Sequence, residues 1–443
     1  MAVPFSKRSS KSLGRDFWLY FSGQLISQVG SSFTLFALPL LVFELTHSAT
    51  NLALTTASEF VPYLLFGLVL GALVDRVNRK RMMLLTDVAR GGVILILPVL
   101  ALAGTLDVSV IYAVAFVQST LGILFTCGEF AAIPSLVGRD DLVAANGRIM
   151  ATNYAGQVIG PVLAGALVAL VSPANLLFFD AGSFFVSALS LAVIRRSFDG
   201  VDRPTPAASG LKGLLEDVKD GLRYVWSNPV LRSISIMMAM INFVATTQST
   251  QLVLFAKKIL HSTNTEVAIL YAAGAAGVVV VSLSAAPIRR HLSFAVTALG
   301  ALVVDGLAIV AMAFVGNYAG AVVFWAAASG FGLLLNINTG SLRQAIVPSH
   351  MYGRVISIAG VLAWSAIPLG SIAGAAAINL THSVVGVYAV SGGLCALIAL
   401  LFGFSPIRHG DKYLAEAKNK EVEAPDATPE NIAMIEVLAS ESE

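Results

Sequence analysis

The chain has 443 residues, of which 56% are hydrophobic and only 12% charged. Soluble domains average about 25% charged residues, so a soluble globular fold is excluded. The charges cluster and leave many apolar windows of about 20 residues, the length that spans a bilayer. The formal net charge of +2 singles out no partner, and the two cysteines, Cys127 and Cys395, fall inside apolar segments. That spacing suits neither a disulfide framework nor a metal site.

Residues 1–16 are polar and basic. The first apolar run is too long for a signal-peptide core and reads as a spanning helix. Twelve spanning segments are expected, at about 17–44, 50–74, 82–104, 108–133, 144–171, 175–196, 231–256, 265–288, 292–315, 318–342, 353–380 and 384–406. They divide into an N-terminal six-helix bundle (17–196) and a C-terminal one (231–406). Between them lies a linker (197–230) holding a charged, amphipathic stretch from Leu211 to Trp226. The acidic tail, 407–443, has few apolar residues and is expected to be mostly disordered.

Lys and Arg concentrate on the cytoplasmic side of membrane proteins. With both termini cytoplasmic, 26 of the 28 Lys and Arg residues fall on that side or, as with Arg90, within its half of a helix, and only Lys257 and Lys258 fall outside. The expected location is the cell (inner) membrane, spanned many times. The fourth segment ends with Pro134-Ser135 and the tenth with Pro348-Ser349, and each is followed by a Gly-Arg pair, Gly147-Arg148 and Gly353-Arg354. Such parallel repeats suit two halves that rock about a midplane site.

Between segments two and three runs a tight turn, Gly71-Ala-Leu-Val-Asp75-Arg76-Val-Asn78-Arg79-Lys80-Arg81. Asp75 with these cations could latch one face shut, or the cations could serve only as a positive-inside stop. In segment five, Gly147, Gly156, Gly160, Pro161, Ala164 and Gly165 combine a smooth stripe, which lets another helix approach closely, with a proline that favours a bend. Small residues from Ala273 to Gly277 in segment eight make it the expected partner for that stripe.

Polar residues in lipid are costly and therefore candidates for function. Gln24 and Gln28, Gln118, Asn153 and Gln157, Asn242 and Thr246, and Asn336 and Asn338 lie inside apolar segments. They are read as cavity lining or as interhelical glue, which is worth about 0.6 kcal/mol each on average. Phe125, Tyr154, Phe243 and Trp364 are candidate apolar cargo contacts. Among the acids, Glu59 is the first candidate to carry a proton. Glu129 is a gate residue first, paired with Arg148 or Arg354, and a carrier second. Asp305 is read first as a structural hydrogen-bond partner and second as a carrier. Asp180 pairs locally with backbone or a neighbour, and Asp87 with Arg90 forms a local ion pair. Arg148, Arg343 and Arg354 are gate candidates.

The turn resembles the loop signature of the major facilitator superfamily, G-x-L-x-D-R-x-G-R-[KR], at Gly71, Leu73, Asp75, Arg76, Arg79 and Lys80. Asn78 stands where Gly is usual; Asn tolerates the left-handed conformation next best. Segment five resembles the superfamily's antiporter signature at Gly147, Gly156, Gly160, Pro161 and Gly165. The wording around Ser27–Ser31, Asp75-Arg76, Gly160-Pro161 and Gly353–Val355 looks most like the third drug:proton antiporter family, which includes macrolide-efflux and enterobactin-exporter-like proteins. One departure is that segment four carries no buried Arg.

The resemblance implies an all-α membrane fold of two pseudo-symmetric six-helix bundles. It also implies export by proton antiport, with the polar faces turned toward a central cavity. Export of a siderophore, lipid flipping and a non-transporting sensor remain the alternatives. No phosphate loop or paired-histidine metal motif is present in the sequence. The expected partners are a small-molecule cargo, protons and lipid, with no nucleic acid, no cofactor, no enzymatic chemistry and a monomeric state.

Overall fold

The computed structural model describes residues 13–74, 77–137, 141–168, 170–198 and 210–423, and the described residues form helices joined by short turns, with no strand among them. The first half runs α1 (Arg15–Thr46), α2 (Ala49–Val74), α3 (Arg79–Leu102), α4 (Val108–Leu136), α5 (Leu142–Val168) and α6 (Pro173–Val193). A linker helix, α7 (Gly210–Ser227), leads to α8 (Pro229–Thr250), α9 (Leu252–Lys258), α10 (Asn264–His291), α11 (Phe294–Phe314) and α12 (Tyr318–Ile346). Then follow α13 (Ser349–Trp364), α14 (Ala366–Thr381), α15 (Val384–Phe402), a 3-10 turn (Pro406–His409) and α16 (Gly410–Glu423).

Ten helical stretches among the described residues are long and apolar enough to cross a membrane. α2 and α5, at 26 and 27 residues, occupy the two remaining sequence segments. Two segments expected to be continuous are broken. Segment seven divides at Gln251 into α8 and α9, and segment eleven divides at Ser365 into α13 and α14. The second break has a local cause: Pro368 stands three residues on, lacks an N–H and crowds the preceding turn.

Local chemistry sets the helix ends. Asn78 Oδ1 accepts from Arg81 N at 2.8 Å and starts α3 with φ −68°. It is thus an N-cap in extended conformation, not the left-handed turn residue expected from its place in the motif, because its short amide reaches the orphan N–H groups of the first turn. Asp107 caps α4 by accepting from Ser109 N at 2.9 Å. The Ser109 hydrogen bonds hold its carboxyl below the ordinary value.

The two halves share one wiring. α1 packs on α5 and α6, and α8 packs on α14 and α15. α2 lies on α4 as α10 lies on α12, and α3 bridges α4 and α6 as α11 bridges α12 and α15. Between halves, α5 meets α10 and α2 meets α14. The outer surface is apolar, with Leu170, Leu283, Leu380 and Phe404 at 76–88% exposure. Such a surface suits lipid rather than water.

Close helix contacts depend on missing side chains. A Cβ at Gly156 would lie 2.6 Å from Gln28 Cγ, and one at Gly160 would collide with Ser32. Ser32 Oγ donates to Gly156 O and Gln28 O, both at 2.8 Å, and pins the seam. In the other half Gly370 meets the Phe243 backbone and Gly374 meets Thr247. The smooth stripe of α5 therefore seats α1. Across the halves α5 does meet α10, but through Gly165 against Ala268, 2.6 Å from a notional Cβ. The expected sliding partners on α10 turn elsewhere: Gly274 faces Trp325 and Ser329 of α12, and Gly277 faces Ala326.

At the α1–α2 end a single apolar core joins both halves. Five hydrogen bonds reinforce it, with Asn264 donating to Glu44, Gln251 to Ala49 O, Asn379 to Thr50, Thr250 to Thr56 and Ser371 to Ala53 O, at 2.8–3.3 Å. At the opposite end each half keeps its own core. There Lys80 Nζ donates to Ile194 O, and Arg196 Nη1 to Leu136 O at 2.9 Å, tying α3, α4 and α6 within the first half.

The tail departs from expectation. Residues 410–423 form α16, because Asp411 pairs with Arg289 Nη2 at 2.8 Å and accepts from Phe294 N at 2.7 Å. Residues 424–443 lie outside the described residues.

Candidate functional site: a chamber with two ionisable arms

A chamber of about 780 Å³ lies between the halves, walled by α1 (Gln28, Ser31, Ser32, Leu35), α10 (Tyr271, Gly274, Val278) and α12 (Trp325, Ser329, Leu333). Its wall is mostly apolar. Two smaller pockets of about 330 Å³ each adjoin it. The first shares Ser31 and Leu35 with the chamber and lies inside the N-terminal half. The second shares Trp325 and Ser329 and lies mainly in the C-terminal half, with Thr56 and Phe60 of α2 completing its lining.

The N-terminal arm holds Glu59, Tyr63, Arg90, Gln118 and Asp180. The Arg90 guanidinium stands 4.1 Å over the Phe184 ring, and its Nε has no hydrogen-bond partner. Gln118 Oε1 is likewise buried and unpartnered. Asp180 is held by Thr34, by Ser31 at 3.5 Å and by Ser183 at 3.4 Å. Glu59 lies beside these groups with no ion pair among the described residues, while its backbone carbonyl accepts from Ser119. Polar groups at this depth are costly, and buried orphan atoms mark a place for water, proton or ligand.

The C-terminal arm holds Asn242, Thr246, Gln248 and Asp305 beside Phe60 and Trp325. Asn242 Nδ2 donates to Ala363 O at 2.9 Å. Asp305 is 7% exposed and accepts no hydrogen bond from the described residues, so the structural hydrogen bond expected for it is not made. α11 packs on both α12 and α15 and thereby aims this face inward.

Other expected site residues sit elsewhere. Gln24 donates to Ser187 at 3.0 Å and joins α1 to α6. Asn336 and Asn338 bond to carbonyls of their own helix, Gly332 O at 3.1 Å and Leu334 O at 2.7 Å, and line neither chamber nor arms. An Asn in lipid satisfies its amide with the nearest free lone pair, which here lies one turn back. Trp364 stacks edge-on with Tyr63 at 5.3 Å, and Phe125 is buried in the N-terminal core.

The Glu129 carboxylate accepts from Tyr20 OH at 2.6 Å instead of pairing with Arg148. Arg148 is exposed, with its guanidinium 5.8 Å from the Trp18 ring and an Nη1 hydrogen bond to Ala144 O at 3.2 Å. A phenol within reach on α1 outcompetes a cation that solvent can hydrate. Asp87 and Arg90 do not pair either. Asp87 Oδ2 accepts from Ser187 at 2.6 Å, and α6 also supplies the ring that Arg90 covers. Arg343 stands in the last turn of α12. Asp75 and Arg76 lie outside the described residues, as do the side chains of Asn153, Tyr154, Gln157, Pro161 and Arg354. Gly71 is in the last turn of α2, and Gly147 has open space around it.

Sequence reasoning missed Arg90 and Asp180 as pocket residues. One signal was present. Arg90 is the twelfth residue of α3, and Asp305 is the twelfth of α11, its counterpart in the repeat.

The comparisons with known proteins agree with this architecture. The family model for transmembrane secretion effectors matches residues 11–434. The multidrug efflux pump Tap of Mycolicibacterium fortuitum is 31% identical over 360 residues, which is 79% of this chain and 85% of that protein. Macrolide efflux protein A of Streptococcus pyogenes is 22% identical over 394 residues, 87% of this chain and 94% of that one. Among solved structures, the nucleoside transporter NupG matches with a TM-score of 0.71 at 12% identity, covering 88% of this chain and 99% of that one, a likeness of fold. A multi-pass helical chain whose halves repeat one wiring, matched almost end to end by one family model, belongs to the transmembrane secretion effector family of the major facilitator superfamily.

Proposed function

We propose that this protein exports drug-like, amphipathic small molecules by proton antiport, alternating access between the two sides of the cell membrane. The carrying observation is the apolar chamber between the halves, about 780 Å³ in volume and flanked by two arms that hold ionisable groups. Drug-sized ligands occupy cavities of about 300–1,000 Å³ lined mainly by apolar groups with a few polar ones. The printed functions of the relatives, multidrug and macrolide efflux, support the cargo class.

In this reading both termini are cytoplasmic, residues 17–196 and 231–406 form two six-helix halves of a monomer, and 197–230 links them inside. Glu59 carries the proton, because its carboxyl shares a pocket with Arg90 and Asp180. Loading and unloading a proton there changes the charge balance around Arg90 and biases the rocking of the halves. The turn at Gly71, Asp75, Arg76, Arg79 and Lys80, with Arg148, Arg343 and Arg354, gates the cytoplasmic face.

Efflux from expressing cells tests this across macrolides, dyes and siderophores, with and without a protonophore. Export is expected to stop when the proton gradient collapses. Export indifferent to the protonophore would remove the antiport.

A further inference from the structure

Asp305 is an acid without a counterion. It is 7% exposed, and no described residue donates a hydrogen bond to it. Among the described residues, no Lys, Arg or His lines its arm or the adjoining chamber. The N-terminal arm differs, since its acids share their space with Arg90. A carboxylate in a low-dielectric site is costly to ionise unless an opposite charge arrives.

The arm offers what an organic cation requires. Trp325 and Phe60 line it, and aromatic rings attract cations. Gly332 lies beside the acid, since a Cβ there would make ordinary contact with Asp305 Oδ2 at 3.8 Å. Trp325 and Ser329 border both arm and chamber, so the two spaces are adjacent, and beyond them Leu35, Val278 and Leu333 present an apolar wall.

We propose that the chamber and the C-terminal arm together form a binding site for amphipathic monocations, with the charged head at Asp305 against Trp325 and the apolar body in the chamber. This rests on the exporter reading only in taking the chamber as the cargo site. It requires no proton coupling.

Equilibrium binding to the purified full-length protein in detergent tests it, because no gradient is needed. The probes are tetraphenylphosphonium and the neutral triphenylphosphine oxide. The wild type is expected to prefer the cation. Asp305→Asn is expected to cut that preference about tenfold or more, the loss of one charge–charge attraction at low effective dielectric, and Asp305→Glu to keep it. A wild type without preference for the cation would overturn the site, and this comparison stands even if Asp305→Asn does not fold. Equal weakening of both probes by Asp305→Asn would overturn it too. A preserved cation preference in a protein that exports nothing from cells would support the site and sink the exporter reading.

Discussion

The two halves are built alike and charged differently. In each, a helix with two glycines four residues apart seats the first helix of its half: Gly156 and Gly160 against Gln28 and Ser32, Gly370 and Gly374 against Phe243 and Thr247. In each, the twentieth residue of the first helix bonds to the eighth residue of the last. In one half that pair is Thr34 with Asp180, in the other Gln248 with Ser391. The same contact joins a hydroxyl to a carboxylate in one half and two neutral groups in the other. At the twelfth position of the third helix stand Arg90 and Asp305, opposite in sign. Packing is therefore repeated because both halves must bury the same helix seams. Charge is not repeated, and it is charge that distinguishes the two arms.

The strongest way to break this comparison is to fill the seams. Gly160→Leu and Gly374→Leu should each abolish most export, and each should lower stability by about 1–3 kcal/mol, the usual cost of overpacking. Efflux and thermal unfolding of the purified variants check this; tolerance at only one of the two sites would end the equivalence. Next in size is the N-terminal arm. Glu59→Gln should slow gradient-driven export by about tenfold or more while sparing exchange of cargo at equal pH, as loss of one acid–base group does. Gradient-driven export at the normal rate would remove Glu59 from the cycle.

A smaller effect separates the equivalent hydrogen bonds. Thr34→Val deprives a buried carboxylate of a donor and should cost about 1–3 kcal/mol, whereas Ser391→Ala should cost about 1 kcal/mol or less. Denaturation in a mild detergent series ranks the two, and a reversed order would mean that Asp180 finds another donor. Asp411→Ala breaks a half-exposed ion pair to Arg289 and the hydrogen bond from Phe294 N, and should lower stability by about 0.5–2 kcal/mol without altering export.

The spanning segments were legible because a bilayer demands about 20 apolar residues, and length alone finds them. The breaks at Gln251 and Ser365 were not, since both fall inside continuous apolar runs. The stripe at Gly156 and Gly160 announced a close approach but could not say which helix makes it; smallness carries no address. Spacing also misled at Asp87 and Arg90. Three residues apart allows a pair, yet Ser187 and Phe184 on α6 take one partner each. The polar residues of the sequence were candidates of one kind, and the structure divides them. Gln118, Asn242 and Thr246 line arms and Gln28 the chamber, while Asn336 and Asn338 spend their amides on their own helix.

The five hydrogen bonds that join the halves around residues 44–56 set an energy scale. Each nets about 0.5–1.5 kcal/mol, so the clasp they form holds a few kcal/mol in all. A unit charge falling through 100 mV releases about 2.3 kcal/mol. On the proposed antiport, the entry of one or two protons would match the hydrogen-bonded part of this seam, with the apolar core beneath it still to be parted.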